Sequence, residues 1–186
     1  MFMTEYQSYL MECLTALRCA RIDQLEWLMG FRFSSTPQQV ESDIDKLRYM
    51  GRLCRKEQII LLPGVERDGQ LLAAIDIMRL LSKDNCPQFT TGSPPVKLAF
   101  YLEDEKGYLD FKIIPVAPGE ERKVMMLLEP QLAHFICTCI FILQSERQVP
   151  LLCAIPRSYF ALPDGKGGYN FLKSGKSSER GNAYRE

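Results

Sequence analysis

The sequence predicts a mixed chain of the α+β / α/β class, a compact helical module closed by a hairpin and followed by a small α/β domain. Three observations carry this. Residues 4–64 hold three apolar stripes at helical spacing, each opened or closed by capping residues, and then two short strand-like runs. Residues 68–173 alternate helix-period and strand-period segments around one continuous apolar run, 135–143. The composition, 46% hydrophobic and 25% charged, is that of a globular chain able to bury one or two cores, which excludes disorder throughout.

The first helix opens on Thr4 and Gln7, spaced as a capping box in which each side chain satisfies a free backbone donor. Tyr6, Tyr9, Leu10, Cys13, Leu14 and Leu17 then recur on one face. A second helix spans 22–29, with Gly30 placed for a left-handed cap. Thr36 as N-cap, Pro37 at the first helical position and Gln39 as a second capping-box partner announce the third helix. Val40, Ile44 and Leu47 form its apolar stripe, and Gly51 ends it. Residues 53–55 and 59–62 read as strands around the turn Lys56-Glu57-Gln58, closed by Pro63-Gly64.

A polar hinge at 65–69 precedes an apolar helix marked by Leu71, Ala74, Ile75, Met78 and Leu81. The stretch 83–95 reads as a loop, and Val96, Leu98, Phe100 and Leu102 alternate as a strand. The turn at 104–107 leads into a second strand, 109–114, so the two should pair as a hairpin. Gly119-Glu120-Glu121 opens a helix running through Leu128, with its acids at the positive end of the dipole. The apolar run 135–143 is a central strand, 145–155 a helix, and 159–162 with 169–172 a final hairpin. From 174 onward periodicity is lost, which predicts a disordered tail.

The segment Thr36-Pro37-Gln38-Gln39-Val40 through Lys46-Leu47-Arg48-Tyr49-Met50-Gly51-Arg52-Leu53 resembles the recognition helix and wing entrance of the winged helix-turn-helix superfamily. In DNA-binding members the exposed face of this helix enters the major groove and the wing reaches phosphates. The resemblance implies that Gln38, Gln39, Ser42, Asp43, Lys46 and Tyr49 face double-stranded DNA and that Arg52, Arg55 and Lys56 meet phosphates. The chain's zero net charge removes any global attraction to polyanions, and residues 1–64 balance eight basic groups against eight acidic ones. Binding must therefore come from the local run Lys46, Arg48, Arg52, Arg55 and Lys56, good for about five phosphate contacts. The competing use of the same surface is docking a protein partner or a second copy.

The expected division is a winged-helix domain at 1–67, an α/β domain at 68–173 and a tail at 174–186. As a whole the chain is similar to the replication-relaxation proteins of plasmids and conjugative elements. In those, a winged helix precedes a domain similar to restriction endonucleases. Beyond the order of elements, the similarity is carried by Asp110-Phe111-Lys112 through Pro118-Gly119-Glu120-Glu121. It implies a non-catalytic, DNA-associated accessory or regulatory protein of a mobile element, its second domain being a degenerate nuclease arrangement without cofactor.

The catalytic alternative is a metal-dependent nuclease in which Glu103 and Asp110 hold Mg²⁺ beside Lys112. The next central strand ends Leu143-Gln144-Ser145 and lacks the acid-x-lysine such a site would want, and a surface Asp–Lys pair is the plainer reading of Asp110 and Lys112. His134, the single histidine, has no nucleophile motif around it. Cys137-x-Cys139 is spaced too tightly for a zinc site and reads as packing. The glycines at 165–168 lie in a hairpin rather than between strand and helix, and so do not form a phosphate loop. An odd count of seven cysteines, mostly among apolar residues, predicts reduced and buried thiols. An N-terminus without a basic, then apolar, leader and the absence of an apolar run near 20 residues predict a cytoplasmic protein with no membrane partner.

Overall fold

The computed structural model describes residues 2–105, 107–132 and 137–174, with Asp104, Gln131 and Leu132 described by backbone alone. His134, the start of the apolar run at 135 and 136, and the tail at 175–186 lie outside the described residues. Six α-helices and two sheets make a mixed α and β architecture among those residues. No described helix is long and apolar enough to cross a membrane.

The N-terminal elements are α1 (Glu5–Leu17), β1 (Cys19–Arg21), α2 (Ile22–Gly30), α3 (Pro37–Tyr49), β2 (Cys54–Lys56) and β3 (Ile59–Leu61). Thr4 and Gln7 close the expected capping box on α1. The helix stops at Arg18, whose φ of 68° turns the chain into β1. That strand escapes sequence reading because three residues are too few to show a period; its buried Cys19 and Ala20 pair with Leu61 and Ile60 of β3. The small sheet runs β1-β3-β2, all antiparallel.

Two expected caps are corrected. Gly30 is the last residue of α2 rather than a left-handed cap, and Phe31 caps that helix in the right-handed region. Thr36 does accept the amide of Gln39, but the Gln39 side chain donates to Asp43 at 3.0 Å instead of closing a second box. Gly51, with a φ of +69°, ends α3 as expected.

Helix α4 (Gly69–Ser82) follows, with the Asp68 carboxylate accepting the Leu71 amide at 3.0 Å. Its Ala74, Ile75, Ile77 and Met78 are wholly buried because the helix is flanked on both sides. One side meets β1 and α2, and the other meets β5 (Leu98–Asp104) and β6 (Gly107–Pro115). Polar contacts reinforce the first junction: Arg21 donates to Asp76 at 2.6 and 3.0 Å, Gln24 donates to Asp76 at 2.8 Å and to the Leu72 carbonyl at 2.9 Å, and Arg79 reaches Asp23 at 3.0 Å.

The second sheet has six strands in chain order, β4 (Gln88–Thr91), β5, β6, β7 (Thr138–Ile142), β8 (Ser158–Pro163) and β9 (Tyr169–Lys173). The inner pairs β6–β7 and β7–β8 are parallel and the outer pairs antiparallel. β4 lies within the stretch expected to be loop and is identified by its pairing with β5. Helix α5 (Glu121–Leu132) makes the first crossover. The helix expected over 145–155 is instead a 3-10 turn at Glu146–Gln148 followed by the single turn α6 (Val149–Leu152), with Pro150 in the first turn of α6, where its missing N–H breaks no helical hydrogen bond. Gln148 anchors this connection: its oxygen accepts the amides of Gln144 and Ser145, and its nitrogen donates to the Val116 carbonyl and to Glu121.

One hydrophobic core runs from Leu10, Leu14, Leu25 and Ile44 through Ile75 and Met78 to Leu98, Phe100, Ile113, Ile140 and Ala161 on one face of the larger sheet. The other face carries a separate core of Ile114, Val124, Leu128, Cys139, Phe141 and Phe160 under α5 and α6. All seven cysteines are free, but Cys54, Cys86 and Cys153 are exposed, which corrects the expectation of uniform burial.

Candidate nucleic-acid interface

Helix α3 directs Val40, Asp43, Ile44 and Leu47 inward, so the opposite stripe, Gln38, Ser42, Asp45 and Tyr49, points to solvent. Tyr49 is 94% exposed. Gln39 and Lys46 flank the stripe on one side, Glu41 and Arg48 on the other, and an open groove beside it is lined by Gln7, Ser42, Asp45, Lys46, Tyr49 and Met50.

Asp43 does not face outward as the resemblance implied. It is 2% exposed and accepts from Gln7 of α1 at 3.0 Å and from Gln39 at 3.0 Å, which fixes α3 against α1. The period of 3.6 puts residue 43 beside 40, 44 and 47; its acidic character, weighed alone, concealed this. Asp45, at the centre of the outward stripe, is the acid that a partner would meet.

Internal ion pairs thin the expected basic cluster. Arg55 makes two 3.1 Å hydrogen bonds to Glu41, a bidentate pair that raises the affinity of its guanidinium for its proton. Lys46 lies 3.5 Å from Asp43 and Arg48 3.3 Å from Asp45, both lysine and arginine being about half exposed. The Arg48–Asp45 pair is solvent-exposed, worth about 0–1 kcal/mol, and can be exchanged for a phosphate; Asp43 is buried, but it keeps its Gln7 and Gln39 donors when the half-exposed Lys46 turns to a phosphate. Arg52 and Lys56 are exposed and enter no ion pair among the described residues. Four cations, Lys46, Arg48, Arg52 and Lys56, are thus available where five were expected.

The three residues of the catalytic alternative lie together on the larger sheet. Pairing sets Tyr101 opposite Asp110, Glu103 opposite Tyr108 and Ala99 opposite Lys112, so Glu103, Asp110 and Lys112 share one face. Glu103 and Asp110 are exposed and Lys112 is half-buried. Tyr101 and Tyr108 meet edge to face beside them, 6.1 Å between centroids. From β7 this face receives Cys139, level with Lys112, and no carboxylate. Among the described residues no group of three or more His, Cys, Asp or Glu side chains could hold a metal ion. Mg²⁺ is held by one or two protein carboxylates when substrate phosphate and water complete its shell, so Glu103 and Asp110 are enough in number.

No family model matches the chain, and no curated protein matches it. Among solved structures it is similar to the restriction endonuclease FokI bound to DNA, with 13% identity and a TM-score of 0.31, and to a structure of the same endonuclease with 13% identity and a TM-score of 0.29. In each case the match covers 84% of this chain and 42% of the other, so the chain spans less than half the length of those structures.

Proposed function

We propose that this chain is a non-catalytic, DNA-associated accessory or regulatory protein of a mobile genetic element, acting in replication, mobilisation or transcription control, whose residues 1–67 form a winged helix-turn-helix. The observation that carries the DNA reading is the exposed outer stripe of α3 lying next to Arg52 and the hairpin residue Lys56, which enter no ion pair among the described residues. The element order helix, strand, helix, helix, strand, strand and the β1-β3-β2 sheet support the winged-helix reading. The mobile-element context rests on the resemblance to replication-relaxation proteins, and a cytoplasmic location follows from that reading.

Neutralising four phosphates gives a salt dependence with a slope of about −3.6 in log K against log salt. Titration of binding to a mixed-sequence duplex checks this, with the Arg52→Ala/Lys56→Ala variant expected to lose about half the slope. Absence of binding at low salt overturns the DNA reading and leaves α3 as a protein-docking surface.

The shared face of Glu103, Asp110 and Lys112 favours one second reading, a Mg²⁺-dependent nuclease. Glu103 and Asp110 would hold the ion, which would supply charge for a developing phosphorane, and Lys112 would stabilise the leaving oxygen. Nicking of a supercoiled plasmid that needs Mg²⁺ and disappears in Asp110→Asn selects this reading; an uncut plasmid excludes it.

A further inference from the structure

A strand at the edge of a sheet offers unpaired amides and carbonyls to any other strand, so folds blunt their edges. Three of the four sheet edges among the described residues are blunted. β1 is three residues long and packs against α4, β2 carries Arg55 and Lys56, and α1 packs against β4. β9 lacks such protection: Tyr-Asn-Phe-Leu-Lys runs without proline or bulge, and all but Tyr169 are exposed. Among the described residues no strand pairs with its outer side, where Phe171 and Leu172 stay 37% and 38% exposed.

The ladder with β8 fixes which backbone groups are free. Asp164 donates its amide to the Gly168 carbonyl and Ser174 donates to the Ser158 carbonyl, which marks 160–172 and 162–170, of the same parity, as the hydrogen-bonded pairs. Asn170 and Leu172 therefore spend their backbone groups on β8, while the amides and carbonyls of Tyr169, Phe171 and Lys173 point outward. The side chains of these three share the sheet face of Ala161, which belongs to the core under α4. We propose that two copies of this chain pair through β9, antiparallel about a two-fold axis at Phe171, joining their larger sheets into one. This is independent of the DNA reading.

The second copy is the occupant because β9 is complementary to itself. The two-fold sets Phe171 opposite Phe171 of the second copy and Tyr169 opposite Lys173, so every outward amide meets an outward carbonyl. A reciprocal pair of hydrogen bonds forms at the centre and another on each side. Two phenyl rings face each other at the axis, and each flank brings the Lys173 ammonium beside a Tyr169 ring, both favourable cross-strand neighbours. No like charges meet. Slipping by one residue would aim outward groups at amides already held by β8, and slipping by two would leave an outward residue without a counterpart in β9. An interface built on one short strand from each copy is small, which places the dimer among the weak, concentration-dependent ones.

The test is sedimentation equilibrium of the full-length protein over a range of concentrations, where a reversible dimer supports the proposal. Phe171→Pro removes an outward amide that β8 does not use, so it should keep its far-UV dichroism and weaken dimerisation by roughly tenfold to a hundredfold. Lys173→Pro removes the flanking outward amides, should weaken the dimer in the same way, and serves if Phe171→Pro does not fold. Hydrogen exchange followed by NMR gives a second reading on the wild type. The amides of Tyr169, Phe171 and Lys173 should gain protection as concentration rises, whereas those of Asn170 and Leu172 should be protected throughout. A wild type that stays monomeric, a dimer indifferent to both prolines, or outward amides whose exchange ignores concentration overturns the proposal.

Discussion

The two faces of the six-stranded sheet are covered in different ways. On one, Leu98, Phe100, Ile113 and Ile140 belong to the same core as the N-terminal helices, with α4 as the shared layer. On the other, Phe141, Phe160 and Leu128 form a core completed by the sheet's own crossovers. A crossover core binds neighbours in sequence, whereas the α4 core binds residues 10 and 161 into one cooperative unit. The difference also separates the candidate surfaces: α3 presents cations from the unit that shares its core, and Glu103 with Asp110 presents carboxylates on the side of the self-contained core.

The largest effect expected from breaking this comparison is at Phe100, fully buried and stacked on Phe111 at 4.8 Å. Phe100→Ala should cost about 3–5 kcal/mol. Trp27 of α2 is the single tryptophan, so its fluorescence reports the N-terminal half while far-UV dichroism reports the whole. Coincident shifts of both transitions are expected; a stationary Trp27 transition would refute the shared core.

A smaller loss, about 1–3 kcal/mol, is expected for Asp76→Ala, which strips the acceptor from Arg21 and Gln24 at the junction. Urea unfolding measures it. The same magnitude is expected for Asp43→Ala, which orphans the Gln7 amide, but without effect on the junction.

A pH effect sharpens the junction further. Burial raises the Asp23 carboxyl, yet hydrogen bonds and charge from Arg21, with help from Arg79, outweigh it and leave the folded value below the ordinary 3.8. A depressed carboxylate adds stability that is complete above the unfolded value and vanishes as pH falls through the folded one. Wild type should therefore lose stability below about pH 4 more steeply than Asp23→Asn, by no more than about 1 kcal/mol for so exposed a pair. Parallel acid limbs in thermal melts would remove Asp23 from the account. The least effect on stability, within about 0.5 kcal/mol, is expected for Arg52→Ala/Lys56→Ala, whose consequence should appear only in the salt slope of binding.

Much of the fold could be read from local signals, because caps and periods are local. Thr4, Thr36 and Gly51 mark boundaries that the structure keeps, and Leu98 to Leu102 alternate as a paired strand should. β1 and β4 could not be read, since each owes its state to a partner far away in sequence, Leu61 for Cys19 and Tyr101 for Gln88. The site was legible in outline: Gln38, Ser42, Lys46 and Tyr49 are on the surface as the helical period requires. Its electrostatics were not, because charge counting along the chain treats Arg55 as available when Glu41, fourteen residues earlier, already holds it.

The shared core constrains how the chain can fold as it is made. Ala161 and Ile140 complete a core begun by Leu10 and Leu14, so a growing polypeptide that has exposed only its first four helices still lacks the strands that cover α4. Its apolar wall stays incompletely covered until Ala161, 79 residues beyond Ser82, has been made, at about 5–20 residues per second. Throughout that interval the nascent chain is a client for whatever shields greasy surfaces near the ribosome, and a stall between α4 and β8 would leave it at its most adhesive.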